Sequence, residues 1–405
     1  MFFTRRALCD INFLSVANTR KMKWCPNVRI FMRRVSSEIR SNSSTQASVV
    51  DFYAGKCVFI TGGSGFLGKI FSRLKMEKPK ALQKVIPIVG DVKSLNLGIT
   101  QKDQDMLIEK VSVVIHSAAS TIFDNSLKEA LETNYEGTRN VLSLCKRLKN
   151  IQAFVHISTA YTNVDKSIIE EVVYPPPANI SDVYKYLKNH GDDKNLNTKI
   201  LNGRPNTYIF TKALTEDLIA KTHQSVPTVM IRPSMVGPSK DEPLKGWLDN
   251  ISGNLTVYNC CTGSTNPTYL GEVFKFFNEA PIKFQDNSYG FYFRKVFIAN
   301  TKLASDILTF LTQIVPAYIM DLSLFLKGGK PRFVELQKKF IPMRDKVPYF
   351  TLNTWLFKTR KTQELYSQMS EQDRYTFPFN LSDIKWPEYM HLYAKAVHQL
   401  RNNTK

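Results

Sequence analysis

The chain has 405 residues, enough for two domains, and its 43% hydrophobic and 12% aromatic content excludes a disordered or low-complexity protein. Its formal net charge is +20, with nine Lys or Arg against two acids in residues 1–45. That balance suits an anionic membrane or a phosphate-rich ligand; without finger spacing or a basic repeat interleaved with aromatics, nucleic acid is not an expected partner.

From the N-terminus, residues 1–45 are rich in Arg and Ser and end SSEIRSNSST. They read as a basic tail or a mitochondrial-type targeting segment. From Val50 to about Gly237, apolar runs alternate with helical patterns. KCVFITGG, KVIPIVGD, VSVVIHSAA, AFVHISTAY and TVMIRPSMVG read as strands. FLGKIFSRLK, LKEALETNYEGTRNVLSLCKRL and NTYIFTKALTEDLIAKTH read as helices. Continuous apolar strands alternating with helices predict a doubly wound, parallel-sheet α/β domain of the Rossmann type over residues 46–299. Residues 160–205 form a long connection carrying YPPP (Tyr174–Pro177), expected to be functional or locally helical. Strand signals fade after Ala299, so residues 300–405 are expected to form a smaller, mostly helical C-terminal domain. Within it Ile307–Leu326 is long and apolar enough to span a bilayer, against which stand Gln313, Pro316 and Asp321. A buried helix pair broken at Pro316, an in-plane or re-entrant membrane helix, and a span all remain open. The six cysteines (9, 25, 57, 145, 260 and 261) show no CxxC or CxxH spacing, so no metal site is expected. Cys57 and Cys145 read as small buried hydrophobes.

Two motifs carry chemistry. Gly62, Gly65 and Gly68 are spaced GxxGxxG between a strand and a helix, where the backbone can approach a pyrophosphate and the helix end favours its charge. Tyr208 and Lys212 stand at i and i+4 on one helical face, after a strand that ends in Ser158 and Thr159. A phenol of ordinary pKa is a poor proton source at neutral pH, and a nearby ammonium is expected to lower it.

These residues resemble the extended short-chain dehydrogenase/reductases. FVHISTAY, YPPP, GRPNTYIFTKAL and IRPSMVGPSKDEPLKGWLDN narrow the likeness to the alcohol-forming fatty acyl-CoA reductases. QIVPAYIMDLSLFLKGGKP, YFTLNTWLF and DIKWPEYMHLYAKAV resemble that family's second domain. The resemblance covers roughly residues 50–400. It implies NADPH as cofactor, long-chain acyl-CoA as substrate, a fatty alcohol as product, and the endoplasmic reticulum or peroxisome as location. By resemblance, Gly62, Gly65 and Gly68 carry the pyrophosphate, Asp91 lies near the adenine, and Ser117, Ala118 and Ala119 line the cofactor. Asn134 is the structural asparagine of its helix. Tyr208 is the proton donor, Lys212 tunes it and orients the nicotinamide ribose, and Thr159, or else Ser158, holds the carbonyl oxygen. His116 reads as a packing residue rather than a catalytic one.

Two segments of the family pattern are missing. Only residues 69–84 separate Gly68 from VIPIVGD, so the second strand and its basic end, which would grip a 2′-phosphate, are expected to be absent. Placed as a third strand, VIPIV leaves a hole in the sheet. Placed as the second strand of a minimal βαβ unit, it puts Asp91 at the ribose of NAD. Weak NADPH binding is expected unless Arg73 or Lys75 holds the phosphate. A second gap follows Asn250, on the acyl side of the pocket. The gaps leave two other readings open: a non-catalytic isoform acting through binding, or a different extended reductase.

Overall fold

A computed structural model describes residues 12–17, 48–63, 65, 84–192, 199–234, 236–237, 239–240, 245, 263–268, 272, 275, 301–335, 337–338, 341, 349–350 and 353–403. The chain divides into two compact units. One comprises residues 1–236, 263–265 and 355–382; the other comprises 237–262, 266–354 and 383–405.

The first unit is built on β1 (Asn12–Ala17), β2 (Cys57–Thr61), β3 (Val85–Val89), β4 (Val111–His116), β5 (Ala153–Ile157) and β7 (Thr228–Ile231). All pair in parallel, in the order β3-β1-β2-β4-β5-β7. A separate two-stranded sheet joins β6 (Ile168–Ile169) to β8 (Leu356–Phe357). Five strands therefore come from the runs read as strands, and the fold is the doubly wound α/β type.

The exception is β1. It comes from the stretch read as a basic tail and stands between β2 and β3, pairing with both. The hole expected in the sheet is filled. The minimal βαβ alternative fails for the same reason: β3 pairs with β1, not β2. Pro87 agrees with the position of β3 at the sheet edge, because proline lacks the N–H that a central strand must donate.

Strand β2, CVFIT, is buried throughout. Val58 and Ile60 pack with Tyr53, Val85 and Val113, whereas Phe59 packs with Val114, Leu142, Cys145 and Phe154. Neighbouring residues point to opposite faces, so two covered faces require a continuous apolar run. Cys57 and Cys145 are free and buried, as expected.

The described helices of this unit include α1 (Val49–Tyr53), α2 (Gln101–Lys110), α3 (127–145), α4 (Ile180–His190) and α5 (Thr207–Thr222). Helix α4 supplies the local helicity expected in the long connection. Each start has a side-chain cap. Thr100 Oγ1 accepts from Asp103 N at 3.2 Å, Ser126 Oγ from Glu129 N at 3.2 Å, and Asn206 Oδ1 from Ile209 N at 2.9 Å. Such a cap contributes on the order of 1 kcal/mol. Leu131, Val183, Phe210 and Leu214 join α3, α4 and α5 in one cluster, which fixes the start of α5 where the site needs it.

In the second unit a continuous helix, α6, runs over 302–326 and carries one π turn at Phe310–Ile314. The break at Pro316 that the buried-pair alternative requires does not occur. A proline removes one hydrogen bond and crowds the preceding turn, and the wider π turn accommodates both. Asp321 accepts from Arg332 N, Phe333 N and Val334 N at 2.7, 2.9 and 2.9 Å, which accounts for an acid within an apolar run. Only 17% of the most apolar window of this helix is buried, which contradicts the buried-pair reading.

Candidate active site

The strand order reverses at β2, and in open parallel sheets ligands bind beyond the carboxyl ends of the strands at such a switch point. The turn after β2 begins with Gly62, at φ 78°. A Cβ there would stand 2.9 Å from Ala118 N and 3.0 Å from the Ser117 carbonyl carbon. The two loops are in backbone contact, and only glycine permits it. Gly65 N donates to Gly62 O at 2.9 Å and closes the turn. Gly68, Arg73 and Lys75 lie outside the described residues. A tight glycine turn at the switch point fits a dinucleotide pyrophosphate.

Ser117 and Ala118 are held from beneath. Ala118 N donates to Thr61 Oγ1 at 3.2 Å, and Thr61 Oγ1 lies 2.7 Å from His116 Nδ1. His116 Nε2 is 2.9 Å from Thr138 Oγ1, which donates to Asn134 O at 2.7 Å. His116 is thus tied up on both nitrogens. Burial, with the Lys212 charge, lowers its pKa to about 3, so it stays neutral and packs, as expected. His156, beside it on β5, is also wholly buried, with no hydrogen-bond partner for either ring nitrogen among the described residues.

Asn134 sits in a π turn of α3. Its Oδ1 accepts from Ser120 N at 2.8 Å, and its Nδ2 donates to Ser120 O at 3.1 Å and Thr211 Oγ1 at 3.0 Å. Asn134 therefore joins the loop after β4 to α5. Asp91 accepts from Lys93 N at 3.1 Å in the turn after β3, one strand further from the glycine turn than a minimal βαβ unit would place it.

Tyr208 lies in the first turn of α5. Thr159 lies close enough to its hydroxyl to favour the phenolate, and its ring stacks on Phe123 with centroids 6.1 Å apart. Ser158 turns away and donates to Glu216 Oε1 at 2.6 Å. Thr159, not Ser158, therefore shares the space of the Tyr208 hydroxyl. Burial pushes the Tyr208 pKa up to about 12, and the Thr159 hydrogen bond opposes this. The expected lowering by Lys212 is not seen. The Lys212 ammonium instead donates to Ile157 O at 2.7 Å. Burial lowers the Lys212 pKa to about 8, and Glu216 raises it.

Glu216 and Arg232 were not singled out from the sequence. Arg232 donates to Glu216 through Nε at 2.8 Å and Nη2 at 2.7 Å. It also reaches Glu170 O at 3.1 Å and Val172 O at 2.8 Å. One buried ion pair thus ties α5 to the ends of β5 and β7 and to the loop around β6. Residues 355–362 hold that loop too: Trp355 Nε1 donates to Val164 O at 3.0 Å, and Thr362 Oγ1 to Glu171 Oε1 at 2.7 Å. The signals available in the sequence were an acid one turn beyond Lys212 on a mainly apolar helix, and an arginine directly after β7.

These placements predict a pH effect. If Lys212 orients the cofactor ribose, its charged form is the one that does so, and kcat/KM falls as pH rises through about 8. Glu216→Gln removes the contribution that raises this pKa, so the alkaline limb shifts to lower pH. The variant also leaves Arg232 without its carboxylate, at a cost of about 3 kcal/mol in stability. A pH–rate profile with an unmoved alkaline limb contradicts the coupling.

Two family models match the chain, both described as male sterility protein. An NAD-binding model covers residues 69–284 and a second model covers residues 312–401. The chain is similar to fatty acyl-CoA reductase 1 of Xenopus laevis, with 30% identity over 447 residues, 86% of this chain and 85% of that protein. Similarity to the Homo sapiens protein of the same name is 27% over 444 residues, again 86% and 85% of the two chains. Each alignment is longer than the 405-residue chain, so the relatives carry segments with no counterpart here. Among solved structures, the chain resembles the terminal R domain from the myxalamid PKS-NRPS pathway, at 18% identity, TM-score 0.34, and 47% and 51% of the two chains.

Proposed function

The chain belongs to the fatty acyl-CoA reductase family, and from that premise we propose that it reduces long-chain acyl-CoA to a primary alcohol with two equivalents of NADPH. The observation that supports this reading is that Tyr208, with Thr159 acting on its hydroxyl, belongs to the same parallel-sheet unit as a glycine turn at the switch point. The bound nicotinamide supplies the hydride. The residues supply everything else.

A carbonyl oxygen accepting from both Tyr208 and Thr159 is held by donors already aimed at the place where negative charge develops. With a pKa of about 12, Tyr208 carries its proton throughout the physiological range and gives it to the developing alkoxide. Thr159 donates to the phenolate left behind. Lys212, fixed by Ile157 O, orients the nicotinamide ribose, and Glu216 keeps it charged. The thiohemiacetal so formed breaks its C–S bond, the hydroxyl proton passes to the departing sulfur, and CoA leaves as its thiol with the aldehyde remaining; the same groups then serve the second reduction, aldehyde to alcohol.

The missing segments favour one other reading, a non-catalytic isoform of the family that acts through binding. Purified protein incubated with NADPH and palmitoyl-CoA separates the two: fatty alcohol is the expected product, and its absence alongside measurable NADPH binding would leave the binding reading.

Membrane association follows from α6. Leu303, Ile307, Phe310, Tyr318, Leu322 and Phe325 are exposed at helical spacing, and Lys327, Lys330 and Arg332 follow. An apolar stripe with a cationic flank suits an anionic lipid surface, and an acyl substrate is drawn from the same phase. The compartment proposed is the endoplasmic reticulum or peroxisome; a removable mitochondrial leader does not agree with Asn12–Ala17 pairing inside the sheet. On fractionation, the protein is expected to sediment with membranes at low salt. Recovery wholly in the soluble fraction without detergent contradicts this, and release by carbonate assigns a surface-bound helix rather than a span.

A further inference from the structure

Thr159 stands at the start of a short turn, Ala160–Asn163, and its Oγ1 accepts from Tyr161 N at 3.4 Å. What holds that turn comes from far along the chain. Residues 355–382 fall within the second matched family model, yet they belong to the unit that carries the sheet. The stretch Trp355–Thr362 meets the loop that follows Thr159 at four places.

Nearest to Thr159, the Tyr161 ring meets Trp355 and Phe357 edge-on, with centroids 5.8 and 5.5 Å apart and both pairs at 87°. Edge-to-face is a preferred geometry for aromatic rings. One residue past the turn, Trp355 Nε1 donates to Val164 O at 3.0 Å, and Trp355, Phe357 and Val164 are all buried. Beyond it, Leu356 N donates to Ser167 O and Lys358 N to Ile169 O, both at 2.9 Å, as β8 pairs with β6. Last, the Glu171 carboxylate accepts from Lys361 N, from Thr362 N at 3.1 Å and from Thr362 Oγ1 at 2.7 Å, at the start of a helix α7 (Arg360–Gln368). The carbonyls on either side of Glu171 go instead to Arg232, so the loop is gripped between the sheet and this segment.

Position matters at Thr159 because displacing a reacting group by about 1 Å can cost on the order of 100-fold in rate. The two grips nearest to it, on Tyr161 and on Val164, share one side chain. We propose that Trp355 is a positioning residue for Thr159: its ring against Tyr161 and its N–H on Val164 set the turn from which the Thr159 hydroxyl reaches the carbonyl oxygen. The region of the second family model thus supplies part of the mount of the active site. The kinetic half of this inference rests on the reductase reading above; the mounting of the turn does not.

Two measurements on the full-length chain test it. In Trp355→Leu, amides 160–166 should exchange with solvent about ten-fold faster or more, with 57–61 unchanged. Unaltered exchange at 160–166 overturns the mount, whether or not the protein reduces acyl-CoA. Single-turnover hydride transfer from NADPH to palmitoyl-CoA should slow about 10- to 100-fold in the same variant, with the Kd for NADPH unchanged. In a Thr159→Val background, Trp355→Leu should cost little more, because both changes act through one hydroxyl. Losses that multiply, a rate within two-fold of the parent, or an equal loss of NADPH affinity overturn the positioning role. Trp355→Phe keeps a ring against Tyr161 and removes the N–H, so it should show both effects at smaller size; it decides the matter in the same way if the leucine variant does not fold. A parent protein that yields no alcohol refutes the reductase reading and with it the kinetic half, and the exchange result still decides the mount.

Discussion

Tyr208→Phe is expected to lower the rate of acyl-CoA reduction by about 10²–10⁴-fold, the usual consequence of removing a general acid. Dinucleotide binding should be nearly unchanged, because the substitution removes one oxygen whose partner is Thr159, not the glycine turn or Lys212. The stacked contact with Phe123 survives in a phenylalanine, so the fold is expected to persist. Stopped-flow hydride transfer and cofactor titration on the same preparation check both halves. Activity within a few-fold of the parent protein contradicts the assignment of Tyr208. Thr159→Val should produce a smaller loss, since the proton donor remains.

Gly62→Val is the second substitution with a large expected effect. The residue has φ 78°, and a Cβ would stand 2.9 Å from Ala118 N and 3.0 Å from the Ser117 carbonyl carbon. Those neighbours are backbone, so the turn and the loop after β4 must separate. A β-branched residue at positive φ adds strain of about 1–3 kcal/mol. Movement of the turn also breaks the Gly65 N to Gly62 O hydrogen bond that shapes it. Dinucleotide binding is expected to disappear, together with a fall of several degrees in melting temperature. Retained NADPH affinity means that the turn does not carry the pyrophosphate.

Strands β2 to β5, β7 and helix α5 are legible in the sequence because their signals are local. Full burial on two faces writes a continuous Val/Ile-rich run, and a covered helix writes a 3.6-residue period. The glycine turn and the Tyr208/Lys212 pair are likewise short spacings. Strand β1 is not legible, because a six-residue run with four apolar residues in a basic stretch acquires meaning only from partners 45 and more residues away. Glu216 and Arg232 are hidden for a related reason: the helix and the strand that carry them are read separately, and their pairing is tertiary. The Tyr208 pKa was misjudged from spacing alone. One turn of helix puts Lys212 on the same face as Tyr208, but its ammonium goes to Ile157 O, and burial then dominates the phenol. At Pro316 the local rule was sound and the outcome differed, because a π turn absorbs the missing donor.

The central claim is that one site, using Tyr208 and Thr159 twice, carries a thioester through aldehyde to alcohol. NADPH deuterated at the transferred position tests it most directly. Incubated with palmitoyl-CoA and the full-length protein, it should yield hexadecanol bearing two deuterium atoms on C1, with two cofactor molecules oxidised and one CoA released per alcohol. An aldehyde carrying one deuterium as the final product, or no labelled product despite bound NADPH, contradicts it.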